Sequence, residues 1–88
     1  MFYVYILISL KNFKLYTGFT ENLKKRLDYH NKGLNESTRN RRPLKLIYYE
    51  AYSSEGDARK RESFLKTGRG REVLNKQLKE TLKKYKLV

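Results

Sequence analysis

Cysteine is absent from the 88 residues, which excludes a disulfide framework and any thiolate zinc site and suits a reducing compartment. Proline occurs once and glycine five times, too rarely for a disordered or low-complexity chain. The longest apolar run, Val4 to Ile8, is far too short to span a bilayer, and no charged segment of a secretion signal precedes it. The expectation is a soluble, cytoplasmic protein of one domain, residues 1–88, with a small core and modest stability. Acidic residues are also scarce, 9 against 21 Lys and Arg, for a net charge of +12. Such an excess attracts polyanions, and phosphate backbones are the natural target. Charge alone does not separate DNA from RNA, and a solvated basic surface or docking on acidic lipid would produce it too.

What the chain does contain is punctuated by β-branched and aromatic residues. The stretch FYVYILI (2–8) reads as a strand, Lys11, Asn12 and Lys14 mark a turn, and Leu15 to Phe19 read as a second strand. If the hairpin loop holds two or four residues, odd positions of the first strand face even positions of the second. Tyr5 and Tyr16 then share a face, unless a bulge intervenes. A helix is expected next, with Thr20 as its N-cap, Glu21 at the positive end of its dipole and Gly33 just past its end. Along it Leu23, Arg26, Leu27 and His30 follow the spacing of a core-facing stripe, so an arginine and a histidine look inward and need polar partners.

A basic loop, Arg39-Asn40-Arg41-Arg42, closes at Pro43, and Leu44 to Tyr52 alternate as a third strand. Ser54 with Asp57 resembles a weak capping box for a helix running to about Lys66. Ala58, Glu62 and Leu65 lie on one side of it. Gly68 and Gly70 read as chain breaks, and Leu74, Leu78 and Leu82 support a final Lys-rich amphipathic helix. The fold class is α+β, a three-stranded antiparallel sheet flanked by helices in the order ββαβαα.

Singly, each polar residue has an ordinary explanation. The tyrosines suit strands, Arg26 has Asp28 or Glu21 nearby, His30 suits a packed helix end, and Glu62 sits beside Arg61 and Arg59. As a set they match the needs of phosphodiester cleavage: a water, a group to take its proton, positive charge at the phosphate, and stabilisation of the leaving oxygen. One carboxylate can hold Mg²⁺ or Mn²⁺ while waters and phosphate oxygens complete the octahedron. Arginine grips two phosphate oxygens, which lysine cannot. A tyrosine with an ordinary pKa of about 10 is a poor base at neutral pH unless cations assist it. Histidine, at about 6.5, can share the proton transfer or touch the phosphate.

With these residues in order, the chain resembles the GIY-YIG nuclease superfamily. The matching stretches are YVYIL, LYTGFT, NLKKRLDYHN, RRPLKLIYYE and ARKRESFLK, and together they cover nearly the whole chain. It looks most like the small single-domain bacterial members related to the nuclease module of the excision-repair endonuclease. The resemblance implies a divalent-metal-dependent endonuclease whose site lies on one face of the sheet. Two tyrosines, Tyr5 and Tyr16, would surround the attacking water, Arg26 would steady the phosphate, and Glu62 would bind the metal. Asn75 is a loose counterpart of a late asparagine in the family. The leading glycine of the first tripeptide is absent, and Phe19 stands where some relatives carry lysine. With no attached DNA-binding domain in the sequence, affinity falls to the basic surface, chiefly Arg39, Arg41 and Arg42. That mode tolerates sequence and is sensitive to salt. DNA is favoured over RNA as the partner. A non-catalytic nucleic-acid-binding module and an adaptor on a larger repair or RNA-processing complex are the competing readings.

Overall fold

The computed structural model describes residues 1–85. Three strands, β1 (Phe2–Ser9), β2 (Leu15–Thr20) and β3 (Leu44–Tyr52), form an antiparallel sheet in the order β2-β1-β3. Helix α1 (Leu23–Asn31) follows the hairpin, and a 3₁₀ turn (Arg39–Arg41) precedes β3. Helices α2 (Glu55–Leu65), α3 (Gly68–Gln77) and α4 (Lys79–Lys83) complete the chain. The class is α+β, as the strand and helix signals indicated. No helix among the described residues is long and apolar enough to cross a membrane.

The central strand explains why its sequence lacks alternation. Val4 through Ser9 are buried without interruption, because β1 is covered on both faces. On one face Val4 and Ile6 meet Ala58 and Leu65 of α2, Leu74 of α3, and Leu78 and Leu82. On the other, Tyr5, Leu7 and Leu44 are packed by Tyr16 and Leu46 and by Leu23 and Leu27 of α1. Tyr5 is therefore part of the smaller of two cores.

The hairpin has the parity that a four-residue loop requires. Ser9 N–H donates to the Lys14 carbonyl at 3.0 Å, and Phe13 N–H to the Ser9 carbonyl at 2.8 Å. Leu10 to Phe13 thus form the loop, with Phe13 in the left-handed region at φ 60°. Tyr5 pairs with Gly18 and Leu7 with Tyr16, so the two tyrosines share a face. A register shift does exist, but it falls between Ile6 and Leu7 in the pairing with β3 and leaves the hairpin untouched.

Several local expectations are corrected. The N-cap of α1 is Asn22, not Thr20: Asn22 Oδ1 accepts from Lys25 N–H at 3.1 Å, while Thr20 Oγ1 accepts from Asn22 N–H. Glu21 consequently precedes the helix and does not sit in its first turn. Ser54 is the N-cap of α2, yet its side chain makes no capping bond. Gly68 and Gly70 do not break the chain; they form the first turn of α3. Thr67 Oγ1 joins the two helices, donating to the Phe64 carbonyl at 2.6 Å and accepting from Gly70 N–H at 3.0 Å. A Cβ on Gly70 would stand 1.9 Å from the Phe64 carbonyl oxygen, so only glycine permits this close crossing. The final amphipathic stretch is split at Leu78 into α3 and α4. Gly33, by contrast, follows the Lys32 C-cap at φ 76°, as its place in the sequence suggested.

Candidate active site

Helix α1 brings its inward polar residues onto the hairpin. The Tyr5 oxygen lies 2.8 Å from His30 Nε2, and Arg26 Nε donates to that same oxygen at 3.3 Å. His30 Nδ1 lies 2.8 Å from Thr38 Oγ1. Tyr5, His30 and Thr38 are all buried, and no buried side-chain polar atom among the described residues lacks a partner. The proton assignments follow. Arginine can only donate, so the Tyr5 oxygen accepts from it, and the phenolic hydrogen has His30 Nε2 as its partner. Nε2 is then the acceptor and Nδ1–H donates to Thr38, which defines one neutral tautomer.

Electrostatics agrees with that assignment. Burial pushes the Tyr5 hydroxyl up to about 12, against the Arg26 hydrogen bond, with Tyr16 and Glu62 adding to the rise. Burial, with the Arg26 charge beside it, lowers His30 to about 4. At neutral pH both groups are uncharged. Arg26 is held further into its charged form, first by the hydrogen bond to Tyr5. Its guanidinium also lies over the Tyr29 ring, 4.7 Å from the centroid. Neither Asp28 nor Glu21 pairs with it; Asp28 instead bridges to Lys32 at 2.8 Å. Both terminal nitrogens of Arg26 make no hydrogen bond among the described residues.

Tyr16 completes the aromatic cluster, its ring 6.3 Å from Tyr5 and 5.1 Å from His30. It is half-buried, and its hydroxyl has no protein partner among the described residues. The Tyr5 phenol reaches across β2 at Gly18: a Cβ there would stand 2.3 Å from both Tyr5 Cζ and its hydroxyl oxygen. The glycine of Tyr16-Thr17-Gly18 is thus a notch for the tyrosine of the other strand.

Glu62, on α2, is only 15% exposed at its side chain. It does not pair with Arg61. Its oxygens lie 3.1 Å from Lys66 Nζ and 3.6 Å from Arg59 Nη1. Arg59 itself rests on the Phe19 ring, 3.6 Å from the centroid. Arg61 turns instead to Glu50 of β3, at 2.9 and 3.0 Å, where the Tyr48 and Tyr52 hydroxyls also donate. Burial alone would raise Glu50, but the hydrogen bonds from Arg61, Tyr48 and Tyr52 prevail and hold it below the usual carboxylate range. This clamp ties β3 to α2 and frees the Glu62 side of the helix.

No group of three or more His, Cys, Asp or Glu capable of caging a metal occurs among the described residues. Glu62 is the carboxylate of the candidate set, and a cation held by it alone would keep most of its water or take phosphate oxygens as ligands. In the basic loop, Arg41 donates to the Ser37 carbonyl and Arg42 Nε to the Arg39 carbonyl, while Arg39 and Arg42 remain exposed. Asn75 does not join the Tyr5 cluster; it lines a neighbouring cavity together with Tyr16. Lys86, the last of the late basic residues, lies outside the described ones. Sequence reasoning missed Thr38, Gly18 as a notch, Arg59 and the Glu50–Arg61 clamp.

Two tyrosines, an inward arginine and a lone carboxylate are thus carried by one α+β sheet and its helices. The chain belongs to the GIY-YIG family: the GIY-YIG catalytic domain matches residues 1–85. It is similar to a UPF0213 protein of Clostridium perfringens, 46% identical over 67 residues, covering 75% of this chain and 71% of that one. A UPF0213 protein of Staphylococcus haemolyticus is 44% identical over 66 residues, covering 74% and 79%. The solution structure of a UPF0213 protein from Bacillus halodurans superposes with a TM-score of 0.54 at 33% identity, covering 88% of this chain and 85% of that one.

Proposed function

We propose that the protein is a divalent-metal-dependent endonuclease that hydrolyses DNA phosphodiester bonds with little sequence preference, in a structure- or repair-related role. The observation that carries this reading is the relay Arg26–Tyr5–His30–Thr38. It spends Arg26 Nε on an internal bond and leaves the two terminal nitrogens to grip a phosphate. A binding surface has no need of a buried relay behind one half-buried charge.

Water attacks phosphorus, the bond to the 3′ oxygen breaks, and the products are a 5′-phosphate and a 3′-hydroxyl. Tyr5 keeps its proton, because burial raises it to about 12 and its hydroxyl serves His30. Tyr16, half-buried with a hydroxyl without protein partners among the described residues, orients the attacking water and takes its proton after losing its own phenolic proton to solvent. Arg26 holds the non-bridging oxygens. His30 is completely buried, so it acts by positioning Tyr5 and through it Arg26. Glu62 would hold Mg²⁺ or Mn²⁺, and the ion would supply charge stabilisation for the displacement. Arg39, Arg41 and Arg42, with the net charge of +12, supply non-specific affinity for the backbone.

The test uses labelled duplex, nicked, branched and single-stranded DNA and RNA, with and without Mn²⁺. Products that require the metal and vanish in Glu62→Ala support the reading. Unchanged products from a purified Glu62→Ala overturn the metal role, and shifted bands without products on any substrate establish a binding module instead.

A further inference from the structure

Helix α1 leaves one end of its sheet face bare, and two tyrosines stand there. Tyr49 of β3 lies opposite Tyr5, and Tyr3 lies opposite Ala51 of β3 and Thr20 of β2, so all of them share a face. Leu23 and Leu27 pack toward the Leu7 and Leu44 end of that face, and neither Tyr3 nor Tyr49 belongs to either core. The two rings meet edge to face with centroids 6.0 Å apart. Tyr49 is 52% exposed, Ala51 is exposed, and Tyr3 and Thr20 are half-buried, so both rings border open surface. The hydroxyls of Tyr5, Tyr48 and Tyr52 are each hydrogen-bonded, while those of Tyr3 and Tyr49 have no protein partner among the described residues.

A free cation flanks this surface. Lys24 lies seven residues before Asn31 on the same side of α1, and Asn31 Oδ1 accepts from Leu44 N–H of β3 at 3.2 Å, so that side faces β3. The helix starts just after Thr20, which stands opposite Tyr3, so Lys24 overlooks the tyrosine end. Lys24 is exposed and forms no ion pair among the described residues. Asp28, the one acid of α1, is held by Lys32, and Glu50 points to the opposite face in its clamp with Arg61. Two bare rings beside a free cation suit a chain of alternating bases and phosphates: bases stack on aromatic faces whatever their identity, and phosphates meet the charge. A duplex keeps its base faces stacked on one another, and an acidic peptide would use the cation without the rings. We infer that Tyr3 and Tyr49 form a stacking platform for the bases of an unpaired nucleic-acid strand, whose phosphates meet Lys24 and, farther along, Arg26. One interstrand spacing, about 4.8 Å, separates the Tyr49 backbone from that of Tyr5, so a strand on the platform lies beside the residue that holds Arg26. Presentation of the strand to Arg26 rests on the nuclease reading; the platform's affinity for bases does not.

The probes are fluorescein-labelled oligothymidylate, an abasic oligomer with the same number of phosphates, and a duplex. Each is titrated with the full chain in EDTA, and anisotropy gives Kd. The native chain should hold oligothymidylate about tenfold more tightly than the abasic oligomer. Tyr49→Ala should raise Kd for oligothymidylate about fivefold and leave the abasic oligomer and the duplex unchanged. Tyr49→Phe, which keeps the ring, should bind as the native chain does. Lys24→Ala should weaken oligothymidylate and the abasic oligomer alike, by about twofold. In the native chain with isotope-labelled tyrosine rings, oligothymidylate should move the Tyr3 and Tyr49 ring signals upfield, a readout that needs no variant. Equal affinity for the two oligomers, equal losses on both in Tyr49→Ala, or unmoved ring signals overturn the platform. Self-association of the native chain in sedimentation, abolished by Tyr49→Ala, overturns it in favour of a second copy on this face. Base-dependent binding by a protein that cleaves nothing upholds the platform and leaves the nuclease reading to fall alone.

Discussion

The Tyr5 hydroxyl donates to His30 Nε2 across 2.8 Å in a site with no exposed imidazole atom, so His30 is neutral in the folded chain. Burial first, then the charge of Arg26, holds it at about 4. The unfolded chain binds this proton near pH 6.5. His30 therefore contributes its full stability above that value and loses it as the pH falls through 6.5 toward 4. The span is worth about 3 kcal/mol. Urea midpoints measured between pH 7.5 and 4.5 should fall more steeply for the native chain than for His30→Gln. Parallel curves for the two proteins would remove His30 as the source.

The two tyrosines should separate by stability. Tyr5→Phe strips Arg26 of an acceptor and leaves His30 Nε2 unpaired in the core, a loss of about 1–3 kcal/mol along with activity. Tyr16→Phe removes a hydroxyl that serves no protein group among the described residues. It should leave Tm nearly unchanged and lower cleavage about 10²–10⁴-fold, the usual contribution of a proton-transfer group. A stable, fully active Tyr16→Phe would return that residue to the ordinary role of a strand aromatic.

Gly18 carries a steric prediction. Its backbone is not left-handed, so alanine is tolerated by the chain itself; the obstacle is the Tyr5 phenol 2.3 Å from the new Cβ. Gly18→Ala should displace Tyr5, break its contact with His30, and cost about 1–3 kcal/mol by overpacking. Near-ultraviolet circular dichroism would register the moved tyrosine. An unchanged spectrum with full activity would show that the ring has other room.

Much of this arrangement was legible because it obeys periodicity. Odd-to-even parity across a short hairpin set Tyr5 beside Tyr16, and the i, i+3, i+4, i+7 stripe turned Arg26 and His30 inward. β3 also begins at Leu44 and ends at Tyr52, where alternation placed it. Contacts made without periodicity stayed hidden. Thr38 reaches His30 from an irregular polar loop, and Arg61 prefers Glu50 on another element to its chain neighbour Glu62. The glycines near Gly70 looked like breakers because a sequence cannot display the Phe64 carbonyl against which only glycine fits.

The last prediction concerns a cation. Phe19 stands where the family resemblance leads one to expect lysine in some members, yet the position does not lack positive charge. Arg59 lies over the Phe19 ring with Nη1 3.6 Å from Glu62 Oε1, so the phenyl face holds a guanidinium beside Glu62. Arg59 is more than half exposed, and its removal should change stability by no more than about 0.5 kcal/mol. Cleavage is another matter: loss of one phosphate contact should lower kcat/KM about tenfold in Arg59→Ala, since about 1.4 kcal/mol of transition-state binding is a factor of ten. Phe19→Ala keeps the charge but removes its platform, and should show a smaller loss. Phe19→Lys in the Arg59→Ala background should recover most of the rate by restoring a cation from β2. Failure of that rescue in a folded double variant, with Arg59→Ala impaired, would mean that Arg59 acts through its hold on Glu62 and not on the phosphate.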